Sequence, residues 1–134
     1  MSIELVVVTP EGKAFSGRAE EVVLPGVEGE FGVLEAHERF LSALDHGCME
    51  IRTPDGSQFS AVSDGFAEVG AERVVVMVDS LVPSDEIDVS AVRAAMEEAN
   101  TELERIGTAD DPSRAELENA LARARAQLDV AERA

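Results

Sequence analysis

Asp45, His46 and Cys48 place an acid, a base and a thiol within a few positions of one another. A thiol hydrolase would use such a set if the His46 ring took the proton of Cys48 and left a nucleophilic thiolate. The spacing alone does not bring the two side chains into contact, and free cysteine is among the residues most often buried. We therefore expect Cys48 to pack as a small hydrophobic side chain on a strand, with the thiol hydrolase as an alternative.

Other catalytic chemistries have less support in the sequence. His37, His46 and Cys48 lack the paired spacing that is typical of metal ligands. The chain contains no G-x-x-x-x-G-K-[ST] phosphate loop, so an autonomous ATPase is not expected. We predict a protein that is not an enzyme, with no catalytic residues, no metal and no cofactor.

Glu28 and Glu30 form the one close pair of carboxylates in a glycine-rich segment, Pro25 to His37. Three glycines recur in it at a spacing of three, Gly26, Gly29 and Gly32. Each glycine allows positive φ or the close approach of a neighbouring chain. Because no catalytic group accompanies the carboxylates, we expect a bend that presents them as docking charges, with His37 holding the bend by hydrogen bonding.

Composition limits the kinds of partner. The 134 residues carry 28 acidic and 11 basic side chains, which gives a net charge of −17. Such a charge opposes binding to nucleic acid and to anionic lipid headgroups, so we expect protein partners. The single cysteine excludes an intrachain disulfide and fits a reducing compartment. No secretory signal and no run of about 20 apolar residues is visible, so a membrane role would be indirect, through another subunit.

The first part of the chain alternates short β-prone runs with turns. The main runs are Ile3 to Val8, Arg18 to Leu24, Phe31 to Leu34, Phe40 to Leu44, Cys48 to Arg52, Gln58 to Val62, Phe66 to Val69 and Arg73 to Val78. Many short strands with regular turns are typical of a sandwich or barrel. We predict an α+β fold whose first domain, residues 1–83, is an antiparallel β-sandwich.

After Pro83 the apolar spacing changes to that of helices. The stripes are Val89, Val92, Met96, Ala99, Leu103 and Ile106, then Leu117, Leu121, Ala124, Leu128 and Ala131. Asp88 is a suitable N-cap, Gly107 a suitable C-terminal cap, and Asp111-Pro112 a suitable start for the second helix. The short connection predicts an antiparallel two-helix hairpin over residues 84–134. The stripes either pack permanently or allow the hairpin to detach.

Gly26 to His37 matches the pattern Gly-x-Glu-Gly-Glu-[Phe/Leu]-Gly-x-x-x-x-His at every fixed position. This run resembles the signature of the epsilon subunit of F-type ATP synthases. Gly65 to Val69, followed by Val74 to Asp79, is similar to the closing hairpin of that family's sandwich. With a helical hairpin behind the sandwich, the resemblance spans nearly the whole chain.

The resemblance implies a non-catalytic rotor subunit of the central stalk. In that family the sandwich joins the gamma subunit to the membrane c-ring, for proton-driven ATP synthesis. The helices move between a folded state and an extended state that reaches the beta subunit and restrains ATP hydrolysis. A bacterial member would lie at the cytoplasmic face of the inner membrane, as a peripheral subunit.

The resemblance also implies contact residues. In the bend they are Glu28, Gly29, Glu30, Phe31 and His37, with Glu30 expected to meet a polar, basic loop of the c-ring. An exposed salt bridge there would contribute only ~0–1 kcal/mol, so several contacts must share the binding. Arg123 and Arg125 on the second helix are expected to meet acidic surface on the beta subunit, or else to be solvated charges.

Some family members bind ATP between the helices through an [Ile/Leu]-Asp-x-x-Arg-Ala run. Here Ile87-Asp88 is present, but Arg93 follows five positions after Asp88. The two extra residues rotate the arginine by about 200° around a helix. Arg123 matches one family arginine on the second helix and Gln127 replaces the other. We therefore predict weak or absent ATP binding, with Asp88 and Arg123 as the residues that would carry it.

The sequence also allows a function of a different class. The same two parts would suit a stand-alone β-sandwich that binds protein and dimerises through its helical hairpin. Such a protein would associate with itself in solution and would ignore the gamma subunit.

Overall fold

The computed structural model describes residues 2–36 and 38–134. Ten strands come first: β1 Ile3–Thr9, β2 Gly12–Ala19, β3 Glu21–Gly26, β4 Gly29–Leu34, β5 Phe40–Leu44, β6 Gly47–Thr53, β7 Gly56–Val62, β8 Gly65–Val69, β9 Arg73–Val78 and β10 Leu81–Pro83. One turn of 3-10 helix, Ser84–Glu86, leads to helices α1 Val89–Ile106 and α2 Arg114–Arg133. The predicted class, an α+β fold with strands before helices, is confirmed.

The strands form one continuous sheet that folds over into two layers. Its order is β10-β7-β6-β3-β5-β8-β9-β1-β2, and β4 lies outside this order and pairs with β3. A single pair, Gly26 with Leu44, joins β3 to β5. We call β4, β3, β6, β7 and β10 the first layer and β5, β8, β9, β1 and β2 the second layer.

The space between the two layers is the main hydrophobic core. It is filled by aliphatic side chains from both layers, among them Leu5, Val22, Leu24, Met49, Val74 and Val76, each with no exposed surface. Alternation along the strands supplies one inward residue in every two. Burial of this apolar set on both sides is what holds the layers together.

Two details of the strands differ from the sequence prediction. β1 pairs with β9 in parallel, whereas all other pairs among the described strands are antiparallel. The run predicted as one strand, Arg18 to Leu24, is broken at Glu20. The chain crosses there from the second layer to the first, and residue propensities carry no signal for such a crossing.

The helix ends follow their predicted caps in two of three cases. The Asp88 side chain accepts a hydrogen bond from the Ala91 amide at 3.1 Å, as an N-cap does. Gly107 ends α1 with φ of 62° and donates its amide to Leu103. The second helix begins at Arg114, later than predicted, because the Asp111 carboxylate binds Ser113 and closes a turn first.

The helical hairpin lies folded against the sandwich. α2 packs on β6 and β7 of the first layer, and α1 packs along α2. α2 is therefore buried on two sides: Leu121 and Ala124 belong to the predicted stripe, whereas Ala126 and Val130 lie on another face of the helix. Val130 packs with Cys48 of β6 and Ala61 of β7 in a small second cluster.

Candidate functional site

The glycine-rich bend is the tight turn between β3 and β4. Gly26 and Gly29 are the last paired residues, and the turn between them exposes Val27 and Glu28. Gly29 has φ of 128°, a conformation that side chains with a Cβ rarely adopt. A Cβ on Gly26 would lie 2.7 Å from the Gly29 carbonyl oxygen. The backbone of this turn therefore requires glycine at both positions.

Backbone hydrogen bonds tie the bend to the second layer. The Val27 amide donates to the Ala43 carbonyl at 3.1 Å, and the Asp45 amide donates to the Pro25 carbonyl at 2.8 Å. Because these bonds fix the bend on both sides, its two carboxylates are held in place while they stay open to solvent. Glu28 and Glu30 are both exposed.

The other predicted contact residues of the bend behave differently. Gly29 is exposed, but Phe31 is half-buried against the main core. Its ring meets the Phe40 ring edge-on, with centroids 5.5 Å apart. Phe31 thus anchors the bend to the core. His37 lies outside the described residues.

The bend belongs to a larger acidic surface. Gly26 pairs with Leu44, Leu44 with Gly65, and Gly65 with Val78, so four neighbouring strands end at the same place. Exposed carboxylates at or next to these strand ends form what we call the acidic end: Glu28, Glu30, Asp45, Asp64 and Asp79. Like charges this close favour a basic partner.

One cation of the helical hairpin reaches the acidic end. Arg133, in the last turn of α2, places Nη1 3.4 Å from Oε2 of Glu30. Its Nη2 lies 3.2 Å from Oδ2 of Asp129, one turn earlier on the helix. Glu30 is therefore paired within the folded chain.

Cys48 lies under α2, packed with Ala61 and Val130, and only 3% of it is exposed. Burial raises the pKa of the Cys48 thiol, and the nearby Arg133 charge opposes that rise only in part. A thiol in this environment is not activated as a nucleophile. The expected burial of Cys48 is confirmed, although it faces α2 instead of the core between the layers.

His46 also faces the helical hairpin. Its Nε2 lies 2.6 Å from Oδ1 of Asn119 on α2 and 3.5 Å from Oδ1 of Asp64. Its side chain is 6% exposed. The imidazole thus joins the sandwich to α2, and its Nε2 is engaged by that contact instead of by the Cys48 thiol.

The residues predicted for weak nucleotide binding, Asp88 and Arg123, belong to different helices. The Asp88 carboxylate caps α1. Arg93, which departs from the family's spacing, is exposed. Arg123 is half-buried, and its buried Nε has no hydrogen-bond partner among the residues that the structure describes. Arg125 is exposed and, two residues further on, points about 200° away from Arg123 around the helix.

The two layers differ in how their outer faces are covered. α2 covers the first layer at β6 and β7, while large apolar side chains on the second layer remain exposed. Ala43, Phe66, Met77 and Val8 form one row across four paired strands, β5, β8, β9 and β1. Leu41 continues it on β5, with 66% of its surface exposed. We call Val8, Leu41, Phe66 and Met77 the apolar face.

Among the described residues, no group of three or more His, Cys, Asp and Glu side chains is placed to hold a metal ion. Neither described helix is long and apolar enough to cross a membrane.

Sequence reasoning missed the apolar face, Asn119 and Arg133. The sequence predicts that Phe66 and Met77 lie on strands, but local patterns do not indicate which strands are neighbours, so they do not reveal the row. Asn119, Ala126 and Val130 are spaced by seven and four residues, which indicates one face of a helix. The leucines of the opposite face dominate the pattern and conceal this second face.

Two family models match consecutive parts of the chain. The ATP synthase delta/epsilon chain β-sandwich domain matches residues 2–84, and the ATP synthase delta/epsilon chain long α-helix domain matches residues 85–132. Curated relatives match over nearly their full length. The ATP synthase epsilon chain of Synechococcus sp. (strain WH7803) is 35% identical over 132 residues, covering 98% of this chain and 97% of the relative. That of Anaeromyxobacter sp. (strain K) is 38% identical over 133 residues, covering 99% and 100%.

Solved structures agree in fold. A chain in the structure titled Euglena gracilis mitochondrial ATP synthase, OSCP/F1/c-ring, superposes with a TM-score of 0.82 at 27% identity, covering 98% of this chain and 81% of that one. A chain of the Tetrahymena thermophila mitochondrial ATP synthase central stalk and c-ring gives a TM-score of 0.60 at 15% identity, covering 98% and 97%. The second likeness concerns the fold alone.

Proposed function

The chain belongs to the epsilon-chain family of F-type ATP synthases, and we propose that it is a non-catalytic subunit of the central stalk in a bacterial enzyme. In this role residues 1–83 join the gamma subunit to the c-ring, so that rotation driven by proton flow reaches the catalytic head. Residues 84–134 form a separate regulatory unit. The observation that carries the proposal is the pair of unlike surfaces on one sandwich, the acidic end and the apolar face.

The acidic end suits a polar, basic partner. Its five carboxylates include Glu28 and Glu30 on a turn that glycine geometry and backbone hydrogen bonds hold rigid. A preformed turn loses little conformational entropy on binding. The solved structure that contains the 27% identical chain also includes a c-ring, which supports the c-ring as the partner here. The complex would then lie at the cytoplasmic face of the inner membrane, with this chain held there peripherally.

The apolar face suits the gamma subunit. Exposed large apolar side chains that lie next to one another mark protein interaction sites. Phe66 and Met77 are 52% and 39% exposed and sit side by side on paired strands. Because α2 covers the other layer, the apolar face is available when the hairpin is folded.

The hairpin suits a regulatory role because its apolar contact with the sandwich is small compared with the main core. Among the described residues, the second cluster contains three buried residues, Cys48, Ala61 and Val130, with Phe59 and Ile87 partly buried against it. In an extended state, the exposed Arg125 and a released Arg123 would meet acidic surface on the beta subunit and restrain ATP hydrolysis. ATP binding by this chain would be weak or absent, because Arg93 follows Asp88 at a spacing that departs from the family run and Gln127 replaces the second arginine. Isothermal titration giving a micromolar Kd would contradict this.

Co-purification of the chain with the gamma subunit of the same organism tests the proposal. We expect a complex of one copy each, and loss of it when Phe66 and Met77 are both changed to serine. The matched control is Val27→Ser, an equally exposed apolar position outside the apolar face. A chain that dimerises and ignores gamma would overturn the proposal in favour of a stand-alone binding module.

A further inference from the structure

The end of α2 and the bend share one carboxylate. Glu30 and Arg133 are 103 positions apart in sequence and form an ion pair in the folded chain. Glu30 is also the group through which we propose that the bend docks on a basic partner. The hairpin and the partner therefore require the same carboxylate.

This ion pair is one of the polar contacts between hairpin and sandwich. Among the described residues, hydrogen bonds join α2 to the sandwich through Asn119 with His46 and through Arg133 with Glu30. Between them lies the small cluster around Val130. Arg133 and Glu30 are 41% and 50% exposed, so an incoming cation has access to the pair.

We propose that Arg133 and the basic docking partner compete for Glu30, so that docking of the bend loosens the hairpin from the sandwich. This inference rests on the proposed function. Coupling of this kind is reciprocal: a folded hairpin weakens docking by the same factor by which docking weakens the folded hairpin. Because pairs at such exposure are weak, the factor is modest, about two- to fivefold.

Cys48 provides a built-in reporter of the hairpin position. It is the sole cysteine of the chain, and α2 covers it. A thiol reagent such as N-ethylmaleimide reaches it when α2 leaves, so the rate of labelling measures release. We expect Glu30→Gln and Arg133→Gln each to raise the rate about two- to fivefold in the isolated chain.

The double variant separates a specific pair from two independent effects. If the two side chains act through each other, Glu30→Gln with Arg133→Gln labels no faster than either single variant. Arg93→Gln, which removes the same charge from an exposed position of α1, leaves the rate unchanged. The pair would be overturned if the two single effects multiplied in the double variant, or if Arg93→Gln accelerated labelling equally. Urea unfolding of each variant must show a loss of global stability no larger than the effect on labelling; labelling that proceeds only through global unfolding would also overturn the pair.

Docking itself is tested with gamma and the detergent-solubilised c-ring of the same organism. Binding should speed the labelling of wild-type Cys48 by about the factor seen for Arg133→Gln, and should speed that variant no further. Unchanged or slower labelling of the bound wild type would overturn the competition. Failure to co-purify with gamma and the c-ring would instead overturn the proposed function. The labelling rates of the variants in the isolated chain would still test the Glu30–Arg133 pair.

Discussion

Cys48 and His46 show how residues suited to chemistry can serve packing. Each faces α2, where Cys48 contacts Val130 and His46 contacts Asn119. The sequence predicts that Cys48 is buried, because free cysteine usually is. It does not predict on which side, since Met49 next to it is buried too and both faces of β6 are covered. A strand covered on both faces loses the alternation from which an inward face is read.

The buried thiol predicts a loss of stability at high pH. Burial raises the Cys48 pKa in the folded state above its value in the unfolded chain. The folded state therefore disfavours the thiolate, and stability falls as pH rises above the unfolded pKa. Under reducing conditions the wild-type free energy of unfolding should fall more steeply than that of Cys48→Ala as the pH rises above about 8.5, by at most ~1.4 kcal/mol per pH unit.

Urea unfolding at several pH values measures both slopes. The comparison with Cys48→Ala removes the contributions of lysine and arginine, which the two proteins share. Parallel slopes would show that Cys48 ionises as freely in the folded chain as in the unfolded one.

At the scale of elements, α2 has to satisfy two neighbours. Leu121 and Ala124 lie on the predicted apolar stripe, while Ala126 and Val130 lie on another face of the helix. Leucines bury more area than alanine and valine, so they dominate a pattern search and conceal the second face. The hairpin was predictable from its stripes and caps. Its position on β6 and β7 was not, because that position depends on contacts far apart in sequence.

The two faces of α2 predict different results for two truncations. Val130→Ala removes about two methyl-sized groups from a site with no exposure, at a cost of ~1–3 kcal/mol. The cost falls on the contact between hairpin and sandwich, so Cys48 should label faster while helix content stays the same. Leu121→Ala, at a residue that is 5% exposed, should cost ~2–5 kcal/mol and reduce helix content, because it weakens the packing of α1 on α2.

Maleimide labelling and far-ultraviolet circular dichroism distinguish the two variants. Ala126, on the same face as Val130, gives no suitable control variant. Ala126→Gly would reduce helix content by itself, because glycine has a low helix propensity. If Val130→Ala lost helix content and left Cys48 protected, the assignment of α2's faces would be wrong.

At the scale of the whole molecule, a mostly antiparallel sandwich followed by a helical hairpin was predictable because turn chemistry, strand propensity and helix stripes agree along the chain. The bend was predictable as well, since Gly26 and Gly29 are required by its geometry. The parallel pairing of β1 with β9 and the apolar face depend on which strands become neighbours. Local patterns do not contain that information, so only the folded chain reveals the apolar face.

Because the sandwich and the hairpin have separate proposed roles, the effect of removing the hairpin can be predicted. The main core draws all its buried residues from strands, so deleting residues 88–134 leaves it intact. We expect the truncated chain to bind gamma, because the apolar face is unaffected, and to raise the ATPase activity of the assembled head by several-fold.

A full-length Arg123→Gln, Arg125→Gln variant should give part of that increase if these charges hold the extended state on the beta subunit. ATP hydrolysis by the reconstituted enzyme measures both, with Arg93→Gln as a control for the loss of an exposed helix charge. Unchanged hydrolysis on truncation, with gamma binding intact, would mean that the hairpin does not restrain the enzyme.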